Sequence, residues 1–211
     1  PLETFFRQHV PASLKSTLST THRVMKKIKE GVFRRLGTAL IITTPDNPKK
    51  ILIGQDISLT NTHFGHKGDL SLPMGYSKHK EDSQTSIRRI LEREVFTNKV
   101  IEKNFPYQLI PKNPTSFMTI NIADVSVKVY HLELSEKILR TDQLLSFKLK
   151  SLRLIDLDEL SSLGPLEKGI RPGVVEITQY YQKHLNNALN INLNESIDCQ
   201  LNQRLAYTFS D

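Results

Sequence analysis

The chain has 211 residues, enough for one domain with appendages or two small ones, and aliphatic side chains must carry its core because aromatics are only 7% and tryptophan is absent. No apolar run approaches the roughly 20 residues that a membrane-spanning helix needs, which leaves a soluble, cytoplasmic protein as the expectation. A single cysteine, Cys199, excludes an internal disulfide framework and a cysteine-built zinc site, and suits a reducing compartment.

The formal net charge of +7 is concentrated at the start of the chain. Residues 1–37 hold Arg7, Lys15, Arg23, Lys26, Lys27, Lys29, Arg34 and Arg35 against Glu3 and Glu30, eight basic side chains to two acidic, a surplus of +6. Leu14, Leu18, Thr21, Met25, Ile28 and Val32 recur at spacings of three or four, so an amphipathic helix is expected from about Ser13 to Val32, after a short one over residues 2–9. This N-terminal helical extension, residues 1–35, reads as a packing arm, a homodimer contact or a surface for RNA and other polyanions. The chain begins at Pro1 without an initiator methionine, a start compatible with an excised targeting segment.

Two β-branched runs follow, Thr38–Thr44 and Lys50–Gln55, separated by the turn-forming Pro45-Asp46-Asn47-Pro48, and together they predict a β-hairpin. Residues 56–67 read as a polar loop whose His63 and His66 have no visible third partner for a metal, so they are taken as loop or rim residues. Residues 68–96 then combine a short apolar strand, a Pro-Gly loop and a charged helix. Asp82 or Ser83 is placed to cap that helix, and helical periodicity over residues 84–95 puts Ile87, Ile90, Leu91 and Glu94 on one face. A carboxylate in an apolar stripe loses hydration, so Glu94 needs a cation, a hydrogen-bond network or a wet cavity; Arg88 and Arg89 are the nearby candidate cations. Farther on, Tyr107–Ile110 reads as a short strand, Met118–Leu134 as two strands around Ala123-Asp124 or one long strand, and Leu149–Leu157 as another. The last helix is expected from Val174 to about Leu189, with Val175, Ile177, Tyr181 and Leu185 inward. The Asn-rich tail, residues 190–211, either pairs as an edge strand or stays mobile.

The stretch from Leu72 to Glu94 resembles the Nudix box, a glycine, five residues, a glutamate, seven residues and then Arg-Glu-apolar-any-Glu-Glu-any-Gly-apolar. Gly75, Glu81, Arg89, Leu91 and Glu94 fall on matching positions, and Leu72-Pro73-Met74-Gly75 is similar to the family's Leu-Pro-Gly-Gly entry. The match is degenerate. Ile90 stands where the family has the glutamate after arginine, Arg93 replaces the first of the paired glutamates, and Phe96 and Thr97 replace the Gly-apolar ending.

The resemblance covers residues 36–189 and implies an α/β/α sandwich with a mixed central sheet. It also implies a diphosphate-cleaving hydrolase acting on a nucleoside-diphosphate derivative with Mg²⁺ or Mn²⁺. In that reading Glu94 and Glu81 are the metal ligands, Gly75 offers backbone contact to the cofactor site, and Arg89 orients the glutamates. Asp142 is the nearest acid in the loop that often supplies another ligand. The departures at Ile90 and Arg93 weaken such a site, and Arg93 is a candidate to take the metal's place against Glu94. The alternative implied is a catalytically inactive Nudix-fold module that binds nucleotides or RNA, or regulates through interactions.

Overall fold

The computed structural model describes residues 35–58, 65–78, 80–139, 144–186 and 196–202. The expectations for the basic extension over residues 1–34, for His63, for Asp142 and for most of the tail lie outside these described residues. The chain divides after Arg35, and the elements below belong to the unit Leu36–Asp211.

In chain order the strands are β1 (Arg35–Thr43), β2 (Lys50–Asp56), β3 (Leu70–Ser71) and β4 (Met74–Ser77), followed by helices α1 (Ser83–Glu94) and α2 (Thr97–Ile101). Then come β5 (Met118–Ile122), β6 (Val125–Glu133), β7 (Leu149–Asp156), α3 (Leu157–Ser161), α4 (Val174–Asn186) and β8 (Ser196–Asp198). The strands form two sheets, one ordered β4-β1-β6-β5-β8 and the other β3-β2-β7. The first is mixed, because β5 pairs antiparallel with β6 and parallel with β8. The α/β class and mixed sheet expected from the sequence are what the chain forms.

Alternation along β1 explains the layering. Ala39 and Ile41 enter one core with Ile51 and Ile53 of β2 and with Val174, Val175, Ile177 and Tyr181 of α4. Leu40, Ile42 and Leu52 enter the other with Ile87, Ile90 and Leu91 of α1. A strand buried on both faces reads as a continuous apolar run, and β1 and β2 are both of that kind.

That is also why the expected hairpin does not form. β1 and β2 are strands at nearly the expected positions, but β1 lies between β4 and β6 whereas β2 pairs with β3 and β7 in the other sheet. The Pro45–Pro48 turn carries the chain from one sheet to the other, marked only by an isolated bridge between Thr44 and Asn47.

Tyr107–Leu109 is a 3₁₀ turn rather than a strand. Pro106 caps it and the Ile110 N–H closes back on the Tyr107 carbonyl at 3.1 Å, so the flanking prolines impose a bend where apolar content suggested extension. Met118–Glu133 divides into two strands at Ala123, whose φ of 51° makes the turn. In the tail, β8 is an edge strand, fastened beyond its end by Glu176 Oε1, which accepts from Cys199 Sγ at 3.0 Å and from the Gln200 N–H at 3.1 Å. Gly173, at φ +90°, lets the chain enter α4 directly against Ile122, where a Cβ would collide.

Candidate functional site

Helix α1 is set in place at both ends. Asp82 caps its start, Oδ1 accepting from the Thr85 N–H at 2.8 Å and Oδ2 from the Thr85 hydroxyl at 2.7 Å. Ile87, Ile90, Leu91 and Glu94 are all buried, so the inward face anticipated from periodicity is the face the helix buries. At its far end the Arg93 carbonyl accepts from the Phe147 N–H at 3.1 Å and the Ser146 hydroxyl at 3.3 Å. Ser146 Oγ in turn accepts from the Lys148 and Leu149 N–H groups at 3.0 and 2.8 Å. These bonds tie the approach to β7 against the last turn of α1 and aim Lys148 inward.

The residues matching the box fall into two groups. Arg89 grips Glu81 with two parallel bonds, Nε to Oε1 at 2.9 Å and Nη2 to Oε2 at 2.8 Å, and the Lys78 N–H adds a third to Oε2 at 2.8 Å. The Arg89 hydrogen bonds hold the Glu81 carboxyl below its ordinary range. This clamp closes the turn onto the helix, and it directs Glu81 at a guanidinium. Glu94 lies at the other end of the 12-residue helix, beside Gly75: a Cβ on residue 75 would meet Glu94 Oε1 at 3.9 Å and Ile90 Cδ1 at 3.1 Å. The sequence had joined Glu81 and Glu94 in one metal site; the fold pairs Glu81 with Arg89 and Glu94 with Gly75.

The cation facing Glu94 is Lys148. Its Nζ donates to the Met74 carbonyl at 2.6 Å and lies 3.8 Å from Glu94 Oε2 and 3.6 Å from Asp56 Oδ2. Asp56, fully buried at the end of β2, also accepts from Arg171 Nη1 at 2.8 Å and from the Ser58 N–H and hydroxyl at 2.9 and 2.7 Å. The ends of β2, α1, β4 and the approaches to β7 and α4 thus converge on two carboxylates and two cations. Arg93 is exposed, Arg88 pairs with Glu92 at 3.7 Å, and Arg89 is committed to Glu81.

Burial decides the protonation of this cluster. Loss of hydration pushes the Glu94 carboxyl up to about 7; Lys148 opposes the rise and the neighbouring Asp56 charge adds to it. Burial also pushes the Lys148 ammonium down, helped by Arg171 and resisted by the two carboxylates. For Asp56, burial is outweighed by the Ser58 hydrogen bonds and by Lys148 and Arg171, and its carboxyl lies below the usual value. Glu94 Oε2 is buried without a hydrogen-bond partner among the described residues.

The Mg²⁺ or Mn²⁺ implied by the resemblance does not fit this site with Lys148 in it. One carboxylate, Glu94, faces the Gly75 turn, its neighbour one turn back is the apolar Ile90, and no group of three or more metal-ligating side chains exists among the described residues. An ion bonded to Oε2 at about 2.1 Å lies within about 6 Å of the Lys148 ammonium, where a divalent charge meets roughly 5 kcal/mol of repulsion at an effective dielectric of about 20.

Asp56, Lys148 and Arg171 were not singled out by sequence reasoning. Asp56 ends β2, Lys148 precedes β7 and Arg171 precedes α4, and no spacing along the chain links them.

No protein-family model and no curated protein matches this chain. Among solved structures it is similar to a Nudix hydrolase from Nitrosomonas europaea, at 12% identity and a TM-score of 0.48 over 78% of this chain and 79% of that one. It is similar also to the Nudix domain of Shewanella oneidensis NrtR solved with ADP ribose, at 12% identity and a TM-score of 0.47 over 88% of this chain and 99% of that one. A third is an ADP-ribose pyrophosphatase from Streptococcus suis, at 16% identity and a TM-score of 0.46 over 78% and 99%. At these values the likeness assigns neither substrate nor activity. Others among the similar solved structures are a MutT protein from Methanosarcina mazei and a mutT/nudix family protein from Listeria innocua.

Proposed function

We propose that this chain is a Nudix-type protein that binds a ligand of the nucleoside-diphosphate class and does not cleave it by the metal chemistry of the family. The observation that supports this reading is Lys148. Its ammonium joins the Met74 carbonyl, Glu94 and Asp56, where metal-assisted hydrolysis requires carboxylates open to a divalent ion. Gly75 keeps the turn free of a side chain, and the Arg89–Glu81 clamp fixes the loop between that turn and α1. The ligand class rests on the resemblance of the Leu72–Glu94 segment to the Nudix box.

A second reading, a slow hydrolase, is favoured by one feature. Glu94 carries a buried oxygen without a hydrogen-bond partner and a carboxyl held at about 7, which suits a general base acting on water.

Calorimetric binding and product release are measured together on ADP-ribose, NADH, dinucleoside polyphosphates and capped RNA, in EDTA and in Mn²⁺, for wild type and Glu94→Gln. Binding that survives EDTA, with no Mn²⁺-stimulated turnover, is expected. Turnover that requires Mn²⁺ and disappears in Glu94→Gln overturns the proposal in favour of the metal-dependent hydrolase.

A further inference from the structure

We propose that Lys148 is a built-in substitute for a divalent cation, and that its side chain occupies a latent metal site formed by the Met74 carbonyl, Glu94 and Asp56. The inference deepens the reading above and rests on it for the identity of the cleft, but not for the geometry. Three oxygens from three separate elements, β4, α1 and β2, converge on Nζ at 2.6, 3.8 and 3.6 Å. Carbonyl and carboxylate oxygens gathered from different elements around one point make a donor set suited to a hard cation such as Mg²⁺ or Mn²⁺. Here a covalently attached charge of +1 sits at that point, on a side chain only 17% exposed.

The substitution is supported from the backbone side as well. Lys148 is positioned by Ser146, whose hydroxyl also reaches the α1 carbonyl of Arg93, and the Ile57 N–H donates to the Lys148 carbonyl at 2.9 Å. The lysine is therefore held at the site by the same bonds that join β7 to α1 and β2. One buried oxygen of Glu94 has no hydrogen-bond donor among the described residues, because an ammonium at 3.8 Å offers charge without a bond. An ion free to move would close that gap to its own bonding distance; the tethered one does not.

A cation carried by the chain has two consequences. Lys148 and Arg171 supply from the chain itself the positive charge that faces the Glu94 and Asp56 carboxyls. The site is also indifferent to metal supply, since the lysine repels any divalent ion that approaches Glu94.

Mn²⁺ binding, followed by calorimetry and by loss of the free-ion electron paramagnetic resonance signal, is measured on wild type, Lys148→Ala, Lys148→Met, Lys148→Arg and the double variant Lys148→Ala/Glu94→Gln. Wild type and Lys148→Arg are expected to bind no Mn²⁺ at this site. Lys148→Ala or Lys148→Met is expected to gain Mn²⁺ affinity of on the order of a thousandfold or more over the wild-type limit, and the Glu94→Gln change is expected to abolish the gain. Glu94-dependent Mn²⁺ binding by wild type overturns the proposal whether or not the lysine variants fold, and so does a folded Lys148→Ala or Lys148→Met that gains no affinity. Failure of the wild-type protein to bind any nucleotide defeats the functional reading alone, because the Mn²⁺ contrast does not involve the nucleotide.

Discussion

Replacing Glu94 by glutamine keeps the side chain's shape and removes its charge, and the difference between the two proteins should depend strongly on pH. Burial holds the Glu94 carboxyl at about 7, against its ordinary 4.5. Between those values the folded state keeps a proton that the unfolded state has released, so wild-type stability falls as pH rises from 4.5 to 7 and stays low above 7. At 1.36 kcal/mol for each pH decade over which the two states differ, wild type loses on the order of 2–3 kcal/mol from this group between pH 5 and pH 8. Glu94→Gln has no such group, and its amide oxygen still faces Lys148. Urea unfolding of both proteins at pH 5, 6, 7 and 8 reads the effect, together with the change that loss of Glu94 makes at Lys148. The gap is expected to move in favour of the glutamine variant by about that amount as pH rises. Parallel pH curves would show that Glu94 is solvated or fully neutralised and would refute the account of its burial.

Asp56→Asn leaves Arg171 and Lys148 without their shared buried carboxylate and should cost about 3–5 kcal/mol in chemical denaturation. Arg89→Lys cannot reproduce the two-pronged bond to Glu81 and should lower stability by about 1–2 kcal/mol at pH 7, a deficit that shrinks on acidification as Glu81 protonates and wild type loses the clamp, read from urea midpoints at pH 7 and pH 3. Gly75→Ala presses a Cβ to 3.1 Å from Ile90 Cδ1 and should cost about 1 kcal/mol, most of it recovered when Ile90→Val is added; additive costs in the double-mutant cycle would contradict the packing. Gly173→Ala combines a left-handed backbone with a collision against Ile122, and thermal unfolding should show about 3 kcal/mol of destabilisation.

The helix carrying Glu94 was legible because its information is local: an aspartate cap, a period of 3.6 and a carboxylate on the apolar side. The inward face of α4 was legible for the same reason, and so was strand over Met118–Glu133, where one strand or two had both been open until the Ala123 turn decided it. Pairing of β1 with β2 was misread because strands buried on both faces carry no alternation to fix a partner, and adjacency in sequence suggested a hairpin that two separate sheets do not allow. Glu81 was read as a metal ligand oriented by Arg89, and in the fold Arg89, eight residues on, holds its carboxylate by two bonds. Lys148, Asp56 and Arg171 gave no signal because the site is made where strand ends meet, and a lysine before a strand looks like any solvated lysine until the fold buries it.

The most direct test of the account is a crystal of the wild-type protein soaked in Mn²⁺ and examined at the manganese edge. No anomalous peak near Glu94 is expected, and side-chain density should run continuously from Lys148 to the Met74 carbonyl. A peak coordinated by Glu94, with Lys148 swung away from it, would contradict it.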